Sequence, residues 1–157
     1  MSFLFKLSFC VLFLFHLISI LKANTTTPPS SKWLEPYRVT ITNHDVPVVV
    51  VGCDDRDAEI IRPGQSTSWK FRMNLFGTTS YNCRFYWLEQ TGSYNVNKEV
   101  SFPVFDDEII KLCGVNLASM NRCYWMIDRI GFYFSNTTDG SFPNEDAWRV
   151  MHVWSYG

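Results

Sequence analysis

The stretch Asn74-Leu75-Phe76-Gly77-Thr78-Thr79-Ser80-Tyr81-Asn82-Cys83-Arg84-Phe85-Tyr86-Trp87 packs five aromatic side chains and a cysteine behind a glycine-containing bend. From Tyr81 onward it alternates. Tyr81, Cys83, Phe85 and Trp87 share one face of an extended chain, and Asn82, Arg84 and Tyr86 share the other, because successive side chains of a strand point to opposite faces. One half-buried strand, with its large rings inward, is the reading this spacing demands.

The same period of two recurs on both sides. YRVTITN (37–43), VPVVVVG (46–52), STSWKFRMN (66–74), NVNKEVSFPVF (95–105), RCYWMIDR (122–129), GFYFSN (131–136) and WRVMHVW (148–154) are rich in valine, threonine and aromatic residues. Turn formers separate them, and no amphipathic run reaches helical length. Many short strands with short turns predict an all-β fold of antiparallel strands, a β-sandwich. Tyr37, Val39 and Ile41 fall on one face of their run, and Trp69, Phe71 and Met73 on one face of theirs, opposite Lys70 and Arg72. The expected core is built from those faces, with Cys83 placed where a disulfide between two packed sheets would sit.

The first residues set the compartment. Lys6 precedes an apolar run from Leu7 to Leu21 that ends near Ala23, the pattern of a cleaved secretory signal peptide over residues 1–23. The polar, proline-containing segment that follows, residues 24–35, reads as a disordered leader, and the folded domain spans 36–157. Beyond the signal, no segment is apolar and long enough to insert in a membrane. Cleavage removes Lys6, Lys22 and Cys10, leaving 12 basic against 15 acidic side chains, a net charge of about −3, and four cysteines. Mild acidity points away from nucleic acid as a partner.

Cys53, Cys83, Cys113 and Cys123 form an even set in an oxidising compartment, so two disulfides are expected, with three pairings open. Without a C-x-x-C pair or suitably spaced histidines, no metal site and no cofactor are expected. Asn24 and Asn136 each begin an N-x-Thr glycosylation sequon.

Catalytic constellations are missing. Asp54, Asp55, Asp57 and Glu59 cluster without the glycine and terminal glutamate of a calcium loop, and Asp106, Asp107 and Glu108 are neighbours in a turn rather than carboxylates facing across a cleft. His44 lies in a turn-like segment, and His152 is in phase with Trp148 and Trp154. Oxidised cysteines leave no thiolate for these histidines to activate, so the chain reads as a non-enzyme. Lys70, Arg72 and Arg84 project from outer faces and would form a basic patch for an acidic partner if their strands pair. Asp54, Asp55 and Asp57 make an acidic loop as a second candidate contact.

The segment Trp69–Trp87 resembles the central signature of the plant self-incompatibility protein S1 family, the S-protein homologues: a hydrophobic strand, N-x-F-G-x-T, then aromatic, cysteine, aromatic and tryptophan. Cys123–Phe134 is similar to the family's second block, and Val39-x-Ile41-x-Asn43, the four cysteines, the signal peptide and Trp148 agree. The resemblance covers about residues 36–154. It departs at Gly52-Cys53, where the family carries a histidine before the cysteine, and in the loop Asp54-Asp55-Arg56-Asp57. The resemblance implies a secreted, disulfide-braced β-sandwich without enzymatic activity that acts as an extracellular ligand, as the founding members do for a receptor on pollen. Its partner would be a cell-surface receptor protein met by a monomer, through loops at Cys53–Arg62, Gln90–Asn97, Gly114–Arg122 and Asp139–Asp146. The alternative is a secreted cell-wall carbohydrate-binding module with exposed aromatic platforms.

Overall fold

Among the described residues the alternating runs form ten strands in two sheets. The computed structural model describes residues 36–74, 76, 78–91, 93–113, 120–137, 142 and 147–156, and only the backbone of 90, 91, 93–97 and 156. The expected signal peptide, the polar leader and the Asn24 sequon lie outside the described residues. The strands are β1 (Pro36–Asn43), β2 (Val49–Cys53), β3 (Glu59–Ile61), β4 (Ser66–Arg72), β5 (Tyr81–Thr91), β6 (Ser93–Phe105), β7 (Asn121–Ile127), β8 (Gly131–Ser135), β9 (Arg149–Val153) and β10 (Ser155–Tyr156). A single-turn helix, α1 (Ile109–Leu112), follows β6.

The first sheet has the order β4-β1-β7-β8-β9 and the second β10-β6-β5-β2-β3. All pairs are antiparallel except β1 and β7, which run parallel with Val39 beside Cys123 and Ile41 beside Trp125. That exception arises because the chain leaves β1 for the second sheet and returns in the same direction only after β6 and α1. The all-β sandwich expected from alternation is the fold observed.

Burial follows the period of two. β1 and β7 bury every second residue, and Tyr37, Val39, Ile41, Phe85, Trp125, Ile127 and Phe132 are at most 2% exposed. Burying one such side chain contributes about 1.5–3 kcal/mol, so these rows dominate the stability. The rings interlock across the sheets. Phe85 of the second sheet meets Phe132 of the first at 4.8 Å, Phe102 meets Trp125 at 5.2 Å, and Trp87 meets Trp154 at 5.7 Å. At the other end Tyr37, Phe71, Tyr81 and Phe105 form a second group with centroids 4.7–6.0 Å apart. Trp125 closes the middle, its indole N–H donating to the Val104 carbonyl of the opposite sheet at 2.9 Å.

Three sequence expectations are corrected. Cys83 does not bridge the sheets: it pairs with Cys53, its direct neighbour across the β2–β5 ladder, with Cα atoms 4.0 Å apart. The bridge that leaves a sheet plane is Cys113–Cys123, from the end of α1 to β7. The segment Gln90–Asn97 is not a loop, since the β5–β6 ladder continues to Thr91 opposite Ser93 and makes one long hairpin. The alternation of Ser93–Asn97 carries that extension despite its polar composition. Finally, the turn of Asp106, Asp107 and Glu108 leads into a helix where no helical run was expected. The Asp106 carboxylate accepts the backbone N–H groups of Glu108 and Ile109 at 2.9 and 2.8 Å, satisfying donors that a helix start leaves open.

Candidate functional site

The segment from Cys53 to Arg62 is held at its root rather than free. Asp54 donates its backbone N–H to the Asn82 carbonyl at 3.1 Å, and its carboxylate accepts both the backbone and side-chain N–H of Asn82, at 2.9 and 3.2 Å. The adjacent disulfide doubles this seam. Asp54 is therefore occupied in structure, whereas Asp55, Asp57 and Ala58 are exposed. Arg56 folds back from the tip: it pairs with Glu59 at 3.1 Å and lies 4.8 Å from the centre of the Trp69 ring on the other sheet. A partly exposed ion pair contributes little by itself, but the cation over an aromatic face fixes the loop across the sandwich. Burial raises the Tyr81 phenol's pKa; the Asp55 carboxylate adds to that rise and Arg56 opposes it.

The bend that opened the sequence is also explained. Asn74 donates its backbone N–H to the Thr79 hydroxyl at 2.8 Å and its side-chain amide N–H to the Thr78 hydroxyl at 2.9 Å, while its side-chain Oδ1 accepts the Thr78 backbone N–H at 2.9 Å. Asparagine and threonine are required there because a short loop has no ladder to satisfy its backbone. Gly77 lies outside the described residues.

Two polar anchors escaped the sequence reading. Asn43 is fully buried, its amide donating to the carbonyls of Val46 and Ile61 at 2.7 and 3.0 Å while accepting the Val46 N–H at 2.9 Å. The Asp128 carboxylate accepts the N–H groups of Ile130 and Gly131 and so shapes the β7–β8 turn. The asparagine that ends β1 was visible, but its inward direction follows only from the alternation of Val39 and Ile41 carried one step further.

The single basic patch expected of Lys70, Arg72 and Arg84 does not form. Lys70 and Arg72 are on β4 of the first sheet and Arg84 is on β5 of the second, because the link at residues 73–80 carries the chain from one sheet to the other. Arg84 instead donates to the Tyr86 hydroxyl at 3.4 Å, a bond that, with Glu99 nearby, favours its charged form.

The histidines separate. His44 is exposed against the Phe142 ring, and His152 stacks on Phe102 at 3.9 Å inside the sandwich, where burial lowers its pKa. All four domain cysteines are bonded in pairs. Among the described residues no group of histidine, cysteine and carboxylate side chains is placed to hold a metal ion, and no helix is long and apolar enough to cross a membrane. Phe76 is the only exposed aromatic ring among the described side chains, which leaves an aromatic stacking platform for sugars without a second member. Asn136 is exposed just beyond β8 and contributes to the lining of a depression of about 250 Å³ with Phe134, Trp148 and Arg149. Most of Gly114–Arg122 and Asp139–Asp146 lies outside the described residues.

Comparison with known proteins identifies relatives of the chain by sequence. The chain is 29% identical to S-protein homolog 3 of Arabidopsis thaliana over 139 residues, covering 84% of this chain and 85% of that protein. It is 31% identical to S-protein homolog 2 of the same plant over 78 residues, half of this chain but only 43% of that protein's length. No solved structure matches. The model of the family described as plant self-incompatibility protein S1 matches residues 38–152, from Arg38 of β1 to His152 of β9, and the chain belongs to that family.

Proposed function

We propose that this chain is a secreted, non-enzymatic recognition protein, a ligand presented to a cell-surface receptor by the loops of a rigid sandwich. The observation that carries the reading is the Cys53–Arg62 segment. A disulfide, three hydrogen bonds to Asn82 and an arginine clasp hold it still, while Asp55 and Asp57 remain turned to solvent. Preorganisation of this kind lowers the entropy lost on binding, and loops fixed on a scaffold are where recognition residues concentrate. Family membership supports an S-protein-like role.

The oxidised protein, labelled and applied to intact floral and vegetative cells, is expected to bind saturably to a protease-sensitive partner. Asp55→Ala with Asp57→Ala is expected to weaken that binding while the melting temperature holds. Saturable binding confined to pollen supports a role in pollen rejection, and binding to other tissues supports general signalling or defence. Wild-type binding after alanine replacement across all four candidate loops overturns the loop reading. Secretion is checked separately by expressing the full chain in plant cells: the medium should contain a protein starting at Asn24, with a glycosidase-sensitive mass that Asn136→Gln removes.

A further inference from the structure

The register of the first sheet sets three cations side by side. Arg38 on β1 is directly opposite Lys70 on β4 and directly beside Arg122 on β7. All three are on the outer face, because their neighbours Tyr37, Val39, Trp69 and Cys123 point into the core. Adjacent strands are about 4.8 Å apart, so the row is about 10 Å long. Arg72 extends it, opposite Pro36 on the same face.

Like charges directly opposite one another on neighbouring strands repel. The five strands of the first sheet contain no aspartate or glutamate to set against Arg38, Lys70 and Arg122. The ion pairs formed among the described residues, Arg56–Glu59, Lys111–Glu108 and Arg129–Asp45, involve none of Arg38, Lys70 and Arg122. The Arg38 Nε–H is enclosed and has no acceptor, and Arg122 reaches the Tyr124 hydroxyl at 3.3 Å. In a chain that is acidic as a whole, a face of this sign is local.

The surroundings select the kind of anion. The next row along the face is Ser68, Thr40 and Tyr124, and the one after it is Ser66 and Thr42, which bond each other at 2.8 Å, with Met126 beside Thr42. Of the exposed large apolar side chains among the described residues, Ile60 and Phe76 are on other segments, Ile130 is in the β7–β8 turn, and Val150 and Val153 are on β9, two strands from β7. Protein interfaces centre on an apolar or aromatic anchor, and single-stranded nucleic acid needs ring platforms; the row of cations has neither, and the ring beside it, Tyr124, is half-buried. Guanidinium and ammonium groups beside a bed of hydroxyls suit a hydrated chain of acidic sugars, with carboxylates on the cations and sugar hydroxyls on the serine, threonine and tyrosine.

We propose that the outer face of β4-β1-β7 binds a linear polyuronate through Lys70, Arg38 and Arg122, independently of the loops assigned to receptor contact.

The test uses the oxidised protein and polygalacturonate by calorimetry or biolayer interferometry. Binding is expected to weaken as salt rises and to vanish for the fully methyl-esterified polymer. It is expected to fall about tenfold or more in the Arg38→Gln, Lys70→Gln, Arg122→Gln variant, by analogy with charge-assisted contacts. Lys111→Ala, which removes one charge elsewhere, should bind as wild type. Should the triple variant not fold, Lys70→Gln with Arg122→Gln, both at exposed positions, gives the same reading. A melting temperature of the wild-type protein that rises with polygalacturonate adds support. Wild-type affinity in the variants, or an equal loss in Lys111→Ala, overturns the site. Equal affinity for poly-glutamate or an oligonucleotide overturns the assignment to acidic sugars.

Discussion

The two sheets share one rule for their inner faces and follow different rules outside. Inward, both alternate large apolar side chains and interlock through rings. Outward, the first sheet carries Arg38, Lys70, Arg72 and Arg122 with no carboxylate, whereas the second carries Arg84 with Glu99 nearby on the same face. The second sheet also spends its cations internally: Arg84 on Tyr86, and Lys98 over the Trp87 ring at 4.7 Å. Packing thus constrains half of each strand, and the other half is free to differ in chemistry between sheets.

The sharpest way to break the comparison is to remove what the sheets share. Trp125→Ala deletes a ring that is 1% exposed and its hydrogen bond to Val104. A loss of about 3–5 kcal/mol is expected in denaturant unfolding. A single cooperative transition should persist, and two separated transitions would show that the sheets unfold independently.

Next come the bridges. Replacing Cys53 and Cys83 by alanine opens a sequence separation of 30, and replacing Cys113 and Cys123 opens one of 10. Chain entropy gives losses of about 3.6 and 2.7 kcal/mol, so the bridge inside the second sheet should matter more by about 1 kcal/mol. The reverse ranking in matched unfolding curves would mean that pinning α1 to the first sheet outweighs loop length.

A smaller effect probes the outer faces. Lys70→Glu places a carboxylate opposite Arg38 and should stabilise the fold by about 0.2–1 kcal/mol at low ionic strength. The gain should shrink in high salt. A destabilised variant at low salt would show that the row is not under repulsion.

The smallest expected effect concerns His152. Burial lowers its pKa in the folded state, so the unfolded chain takes up the proton first. Its contribution is present above the ordinary histidine value of about 6.5 and is lost as pH falls through that value toward the lower folded one. The melting temperature should drop slightly over that window, and His152→Phe should flatten the drop. An unchanged slope in the variant would assign the acid sensitivity to carboxylates.

Much of this was legible beforehand. The faces of β1, β4 and β5 follow from alternation, and the short α1 was missed because four residues show no helical period. Pairing partners were not legible. Nothing local in residues 73–80 says that β4 and β5, neighbours in sequence, belong to different sheets, and that one change removed Arg84 from the basic group and brought in Arg38 and Arg122. The same limit applies to Cys83, whose inward direction was right and whose partner is set by the β2–β5 register.

The strand order has a further consequence at its margins. The second sheet ends in β3 and β10, three and two residues long, and the first ends in β4, which carries Lys70 and Arg72, and β9, which begins with Arg149 and pairs across a bulge. Short, charged or kinked borders make poor templates for another chain's backbone. A protein built this way can be concentrated with its hydrogen-bonding borders closed to self-association.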